Sequence, residues 1–360
     1  MLLVVNAGSS SIKLAVFDAA LTEVATARIT EIGQAVPDHR TALDLGLGAL
    51  HDQGLALGVF RAAAHRVVHG GADLTESCRL TPATIAAIAA CTPLAPLHNP
   101  ANLTAIAALA DLAPDLAQYA SFDTAFHATN PAVATAYALP AAEHALRRYG
   151  FHGLSYAGLV HQITPLPRRL LALHLGNGAS ACAILDGKSV ATTMGYSPLD
   201  GLTMGTRAGS IDGNAVLDLA ARHGIDGAAR IVNRESGLLG LGGHSDMRAL
   251  HTAGTDAAQF AVGHFCYWAI RHAGSLIAAM GGLDGVAFTG GIGENDAMVR
   301  GRILDGLAWA GVGYDRNANA KGLMQVHLST APVAIWIVPA REERQIAMEA
   351  TAVITRERLG

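Results

Sequence analysis

Three short turns rich in glycine and small hydroxyl residues stand out for what they could bind. AGSSS joins LLVVN (2–6) to IKLAVFD (12–18), GNGAS (176–180) joins LLALHL to ACAILDG, and TGGIGEN (289–295) follows the apolar run GVAFT. A Gly/Ser turn aims several backbone N–H groups and hydroxyls at one point, a geometry that cradles phosphate oxygens. In the first turn Asn6, Ser9, Ser10, Ser11 and Lys13 fit that reading. One such turn is equally an ordinary hairpin loop; three in one chain are harder to assign to chance. Neither Gly-x-Gly-x-x-Gly after the first strand nor Gly-x-x-x-x-Gly-Lys-Ser/Thr is present, so ATP is expected in preference to NAD, and on neither of those two loop types.

Charged and imidazole groups stand beside glycines in HRVVHGG (65–71), FDTAFH (122–127), RRYGFHG (147–153) and MGTRAG (204–209). Singly, each Arg or His is a residue that satisfies loop carbonyls. Together, two guanidiniums, an imidazole and an acid suit a phosphoryl group passing between two anions, a reaction that asks mainly for positioning and charge neutralisation. His65 and His69 lie four apart, but no third nitrogen or sulfur ligand follows at motif spacing, so zinc is not expected.

These residues must be held by elements that the pattern also outlines. The first and second turns share one grammar, strand, tight turn, strand, which hints at two related domains. Residues 62–68 read as a strand ending at His69, 82–90 and 101–110 as Ala-rich helices, and SFDTAFH as a strand end or turn. Residues 214–222 and 257–280 read as helices, 333–339 as a buried strand leading into a helix at 342–356, and the segment after TGGIGEN has helical spacing. Between 30 and 60 the strand and helix signals compete. Strands alternating with helices argue for α/β layers with parallel or mixed sheets.

At 360 residues the chain exceeds one comfortable core of about 100 to 200 residues and suits two domains. Charged residues are 15% and hydrophobic ones 51%, with a mean hydropathy of +0.31, which excludes disorder and coiled coil. The 25 Lys and Arg against 29 Asp and Glu give no bulk field for nucleic acid or an anionic membrane. The four cysteines (Cys78, Cys91, Cys182, Cys266) are far apart, which fits a reducing cytoplasm. MLLVV lacks the basic flank of a signal peptide, and the apolar stretch from 259 to 280 carries His264, Arg271 and His272, so it is expected to be a buried helix rather than a membrane span.

VVNAGSSSIKL, HRVVHGG, PLAPLHNP, FDTAFH, YGFHG, HLGNGAS, the GYSPLDGLTMGTRAG block, ESGLLG with SDMR, and FTGGIGEN form an ordered series that closely resembles the acetate kinases nearly end to end. The resemblance implies an α/β chain of two ribonuclease-H-like (actin-like) domains, with mixed sheets flanked by helices around a central cleft, as residues 1–147 plus 343–360 and residues 148–342. It implies a Mg²⁺-dependent phosphotransferase (Mn²⁺ as a substitute) that moves the ATP γ-phosphoryl group to acetate and leaves ADP, in a cytoplasmic homodimer with no nucleic-acid or membrane partner. By resemblance, Asn6 and Glu342 hold the metal, with Lys13 and the serines nearby; Arg66, Arg207, His152 and Asp123 are catalytic, Asp123 as a positioning group towards Arg207 or a metal-bound water. His174, Leu175, Gly176, Asn177, Gly178, Asp246, Met247, Arg248, Gly290, Gly291, Ile292, Gly293 and Glu294 cradle ATP with Lys13. Val68, Leu97, Phe151 and Pro198, with Arg66, surround the acid's methyl group.

Some positions depart from the family's pattern. Ala340 and Arg341 replace Thr-Asn before the acid pair, Ser210 and Gly213 replace Asp and Pro, Ala72 replaces Glu, and the segment before HRVVHGG is shorter. Two rivals share the scaffold. One is a propionate or butyrate kinase, set apart by pocket volume around Val68, and the other is an actin-like nucleotide-binding regulator, which would have no use for Arg66, Arg207 and His152.

Overall fold

The computed structural model describes residues 1–8, 10–96 and 98–359, so Ser9 and Leu97 lie outside the described residues. The chain divides into two compact units, Met1–Ala128 with Gly153–Gly158 and Arg341–Gly360, and Thr129–His152 with Leu159–Ala340.

The first unit is built on a mixed sheet of β1 (Leu2–Ala7), β2 (Ile12–Phe17), β3 (Glu23–Ile29), β4 (Ala62–Val67), β5 (Cys78–Arg79) and β6 (Gln118–Phe122), in the order β3-β2-β1-β4-β6-β5. β1 and β2 form the hairpin that the first turn suggests, with Asn6 opposite Lys13, and β4 and β6 run parallel to β1 and to each other. Because side chains alternate, Leu3, Val5, Ile12, Leu14 and Val16 face one layer, with the helices His39–Asp52 and Asn99–Leu112, while Leu2, Val4, Ala15, Phe17, Ala62 and Ala64 face the other. That second face is covered by helix Glu342–Leu359, whose Ile346, Ala347, Ala350 and Val353 recur at helical spacing. In the ambiguous stretch 30–60, Asp38 caps helix His39–Asp52 by accepting from the Thr41 amide. Gly46 faces the sheet there, and a Cβ on it would come within 2.8 Å of Leu14 Cδ1.

The second unit repeats the plan. Its strands β7 (Arg169–Leu175), β8 (Ala179–Leu185), β9 (Lys188–Thr192), β10 (Gly285–Thr289) and β11 (Ala334–Ile337) lie in the order β11-β10-β7-β8-β9. β7-β8-β9 are antiparallel, and β10 and β11 are parallel to β7. Both sheets thus share a run of three antiparallel strands followed by two parallel to the first of them, and the first sheet adds β5, antiparallel to β6, at its edge. The fold is therefore mixed α/β, with two mixed sheets flanked by helices.

Two sequence expectations are corrected. TGGIGEN is not an open turn: Gly290–Asn295 is a short helix that begins directly after β10. Helix Asp256–Met280 buries Ala258, Ala261, Phe265, Ala269, Ala273 and Leu276 along one stripe, but Phe260 and Tyr267 are exposed, so it is amphipathic rather than buried all round. Among the described residues no helix is long and apolar enough to cross a membrane.

Candidate active site

Strand alternation gathers the first unit's polar groups. Asn6 continues the face of Leu2 and Val4, Lys13 that of Ala15 and Phe17, Arg66 that of Ala62 and Ala64, and Asp123 that of Tyr119. Asn6, Arg66 and Asp123 therefore stand at the carboxyl ends of three neighbouring parallel strands, on the face that helix Glu342–Leu359 covers, where ligands of open α/β sheets bind. Arg66 donates to both oxygens of Asp123 (Nε at 3.1 and 3.2 Å, Nη2 at 2.6 Å) and through Nη1 to Asn6 Oδ1 (3.2 Å). The guanidinium that Asp123 holds is thus Arg66, while Arg207, the partner the sequence suggests, belongs to the other unit. Burial works against the Arg66 charge, but Asp123, with Glu342 and Glu343, raises its pKa overall.

The acid pair splits into two roles. Glu343 accepts from Asn6 Nδ2 at 3.0 Å and from Lys13 Nζ at 2.8 Å; burial alone would raise its pKa, and these donors bring it down instead. Glu342 takes no hydrogen bond among the described residues, and burial pushes its carboxyl up to about 7, with Arg66 pulling it down and Asp123 and Glu343 pushing it further up. A carboxylate crowded by two others and without a hydrogen-bond donor among the described residues is a hard oxygen donor suited to a divalent cation that keeps its water and phosphate ligands. Asn6 bridges Arg66 and Glu343, with one Oδ1 lone pair taken by Arg66. Arg341, which stands directly before the acid pair in sequence, is exposed and forms no ion pair among the described residues.

In the second unit the GNGAS turn links β7 to β8. His152, with φ +60°, lays its ring against His174 with centroids 4.0 Å apart, and its Nδ1 meets Ser180 Oγ at 2.9 Å. A Cβ on Gly178 would lie 3.3 Å from His152 Nε2 and 3.8 Å from Arg207 Nη1, so the imidazole and the guanidinium flank the bare backbone of one glycine. Arg207 donates to the Pro198 carbonyl at 3.1 Å and to the Met204 thioether at 3.7 Å, and no carboxylate pairs with it among the described residues. Burial lowers its pKa. A partly buried guanidinium without a counter-ion is a place for an anion.

Beside this turn lies a cavity of about 620 Å³ walled by Gly176, Asn177, Asp246, Met247, Arg248, Gly291 and Ile292, a size that holds a small organic ligand. Seven of the nucleotide residues expected from sequence thus share one cavity. Others serve its walls: Leu175 is fully buried on β7, and Glu294 accepts from the Gly290 and Ala340 amides at 3.1 and 2.9 Å. Arg248 is highly exposed and pairs with Asp246, which also caps helix Met247–Ala253. His251 and Asp296, which line the same cavity, carry no sequence signal, while Ser245, Asn295 and Ser180 fall inside the SDMR, TGGIGEN and GNGAS motifs without an assigned role. Val68, 4% exposed, is in the first unit and Phe151 and Pro198 in the second.

The comparisons with known proteins bear on the whole chain. The model of the acetokinase family matches residues 1–348. Among curated proteins, the acetate kinase of Rhodopseudomonas palustris (strain TIE-1) is 42% identical with 96% of each chain covered, and that of Deinococcus radiodurans is 41% identical over 98% of this chain and 97% of that one. Among solved structures, the acetate kinase of Porphyromonas gingivalis superposes with a TM-score of 0.89 at 33% identity, covering 98% of this chain and 99% of that one. A propionate kinase from Francisella tularensis has the same TM-score and identity, with 97% and 98% covered. With a family model spanning nearly the whole sequence and the polar groups of both units where that family's motifs fall, this chain belongs to the acetokinase family.

Proposed function

We propose that this chain reversibly transfers the γ-phosphoryl group of ATP to acetate, giving acetyl phosphate and ADP, by direct in-line displacement. The observation that carries the reading is Arg207, a guanidinium with no carboxylate partner among the described residues, which flanks Gly178 together with His152 and so offers donors to an incoming phosphoryl group. A carboxylic acid is ionised at neutral pH and attacks phosphorus without a general base. Asp123 is then a positioning group: its bidentate grip fixes the Arg66 guanidinium, whose charge neutralises the carboxylate and the transferring group. His152 donates to the equatorial oxygens of that group, and the cavity beside Gly176 and Asn177 takes the nucleotide. Glu342, with Asn6 and Lys13 beside it, would hold Mg²⁺ or Mn²⁺, which when bound neutralises the phosphate oxygens.

In this reading Val68, Leu97, Phe151 and Pro198, the residues that the resemblance implies, would contact the methyl group. The relatives named acetate kinase favour acetate, and the equal likeness to a propionate kinase makes propionate the second candidate. We further place the enzyme in the cytoplasm, supported by four free cysteines, and as a homodimer, supported by the exposed Phe260, Tyr267 and Trp309 of the second unit. The test is kinetic. Acyl phosphate trapped as its hydroxamate, measured with acetate, propionate and butyrate, should rank acetate first.

A further inference from the structure

His251 and Asp296 lie 45 positions apart, yet both line the nucleotide cavity, and no residue role assigned above uses them. Asp296 is a fixed point. Its Oδ1 accepts from the Met298 and Val299 amides at 3.1 and 3.0 Å as the cap of helix Ala297–Gly306, and its Oδ2 meets His251 Nε2 at 2.7 Å. A carboxylate accepts only, so Nε2 is the ring nitrogen that carries hydrogen. In the neutral ring Nδ1 is then an acceptor, and it takes no partner among the described residues. The His251 side chain keeps 26% exposure and that of Asp296 14%, which leaves the imidazole edge reachable from the cavity but not adrift in solvent.

The phosphate end of the cavity is set by the bare turn at Gly176 and Asn177, beyond which Gly178 meets His152 and Arg207. His251 sits a full turn further along helix Met247–Ala253 than Asp246 and Met247, so the base of a nucleotide is the part that reaches it. We infer that His251, held in one tautomer by Asp296, is a specificity-determining residue that accepts a hydrogen bond from the exocyclic amine of adenine through Nδ1. A purine with a carbonyl at that position would face acceptor against acceptor and be rejected. This inference rests on the proposed kinase function only for the identity of the ligand as a nucleotide; the discrimination itself is a binding property.

The experiment therefore measures binding as well as turnover. Dissociation constants for ATP, GTP and ITP are obtained by calorimetry for the intact chain, His251→Ala and Asp296→Asn, and kcat/KM for the same nucleotides with acetate. Loss of one neutral hydrogen bond together with relief of one acceptor clash should shrink the ATP preference over GTP and ITP by about 10-fold or more in His251→Ala. The acetate KM should be unchanged. In Asp296→Asn the ring is no longer held to one tautomer, and the preference should fall in the same direction. His251→Ala leaves the helix cap intact, so it remains informative if Asp296→Asn unfolds. An unchanged ATP-to-GTP ratio in folded His251→Ala overturns the inference. Nucleotide binding with no acyl phosphate formed in the intact chain would instead overturn the kinase reading and leave the binding ratio to decide this one.

Discussion

Because Arg66 is gripped by Asp123 while Arg207 engages only Nη1 among the described residues, with a carbonyl and a thioether, truncating them has different consequences. Removing Arg66 strands Asp123, only 2% exposed, and loss of one member of a buried pair costs about 3–5 kcal/mol of stability. Arg207 has no such partner, so Arg207→Ala should keep the fold and lower kcat by about 10² to 10⁴, with Lys a poor substitute for its planar fork. A thermal midpoint near that of the parent and a near-normal kcat would remove Arg207 from the mechanism. Glu342→Gln keeps the shape of the side chain but not its charge. It should raise the Mg²⁺ concentration for half-maximal rate by about 10-fold or more while metal-free ATP binding changes little, and an unchanged Mg²⁺ titration would make Glu342 structural. Val68→Ala opens the proposed methyl pocket, where one methylene is worth about 1 to 3 kcal/mol, and should move the propionate-to-acetate ratio of kcat/KM upward through KM. A ratio that stays put in a folded but less stable variant would identify Val68 as core filling alone.

At the scale of elements, strand ends place the chemistry, and strand physics sets its tolerance. Gly290 begins a helix at φ +79°, and a Cβ there would come within 2.8 Å of the Leu175 carbonyl. Gly290→Ala should therefore weaken ATP binding and cost about 1–3 kcal/mol of stability, read by calorimetry and denaturant midpoint. On β4, burial lowers the His65 pKa to about 4, with its bond to Gln118 acting the other way. The unfolded chain takes up that proton near pH 6.5, well before the native one, so the stabilisation from neutral His65 is full above about pH 6.5 and is lost as pH falls towards 4. His65→Gln should flatten the slope of the denaturant midpoint over that window. An identical slope would assign the acid sensitivity to other groups.

The elements legible in the sequence are those with a single period. β1-β2 and β7-β8 alternate apolar residues around Gly/Ser turns, and the twofold echo between them is the shared sheet order seen in the structure. Helix His39–Asp52 was obscured because Gly46 and Gly48 depress helical propensity, while Gly46 is needed for the close approach to Leu14. Gly290–Asn295 reads as a turn because three glycines mask a helix that tertiary contacts support. Arg66 and Asp123 were legible as chemistry but not as a pair, and the division of Glu342 and Glu343 into a free and a bound carboxylate depends on Lys13 and Asn6, more than 300 positions away.

For the whole molecule, Arg66 belongs to the first unit and Arg207 to the second. The central claim is therefore a property of the intact chain: ATP, acetate and a divalent cation yield acetyl phosphate. The most direct measurement incubates the protein with ATP, Mg²⁺, acetate and hydroxylamine, and follows hydroxamate and ADP together. Hydroxamate and ADP are expected in equal amounts, both dependent on acetate and both reduced by about 10² or more in Arg207→Ala. ADP formed without hydroxamate, or at a rate indifferent to acetate, would contradict it.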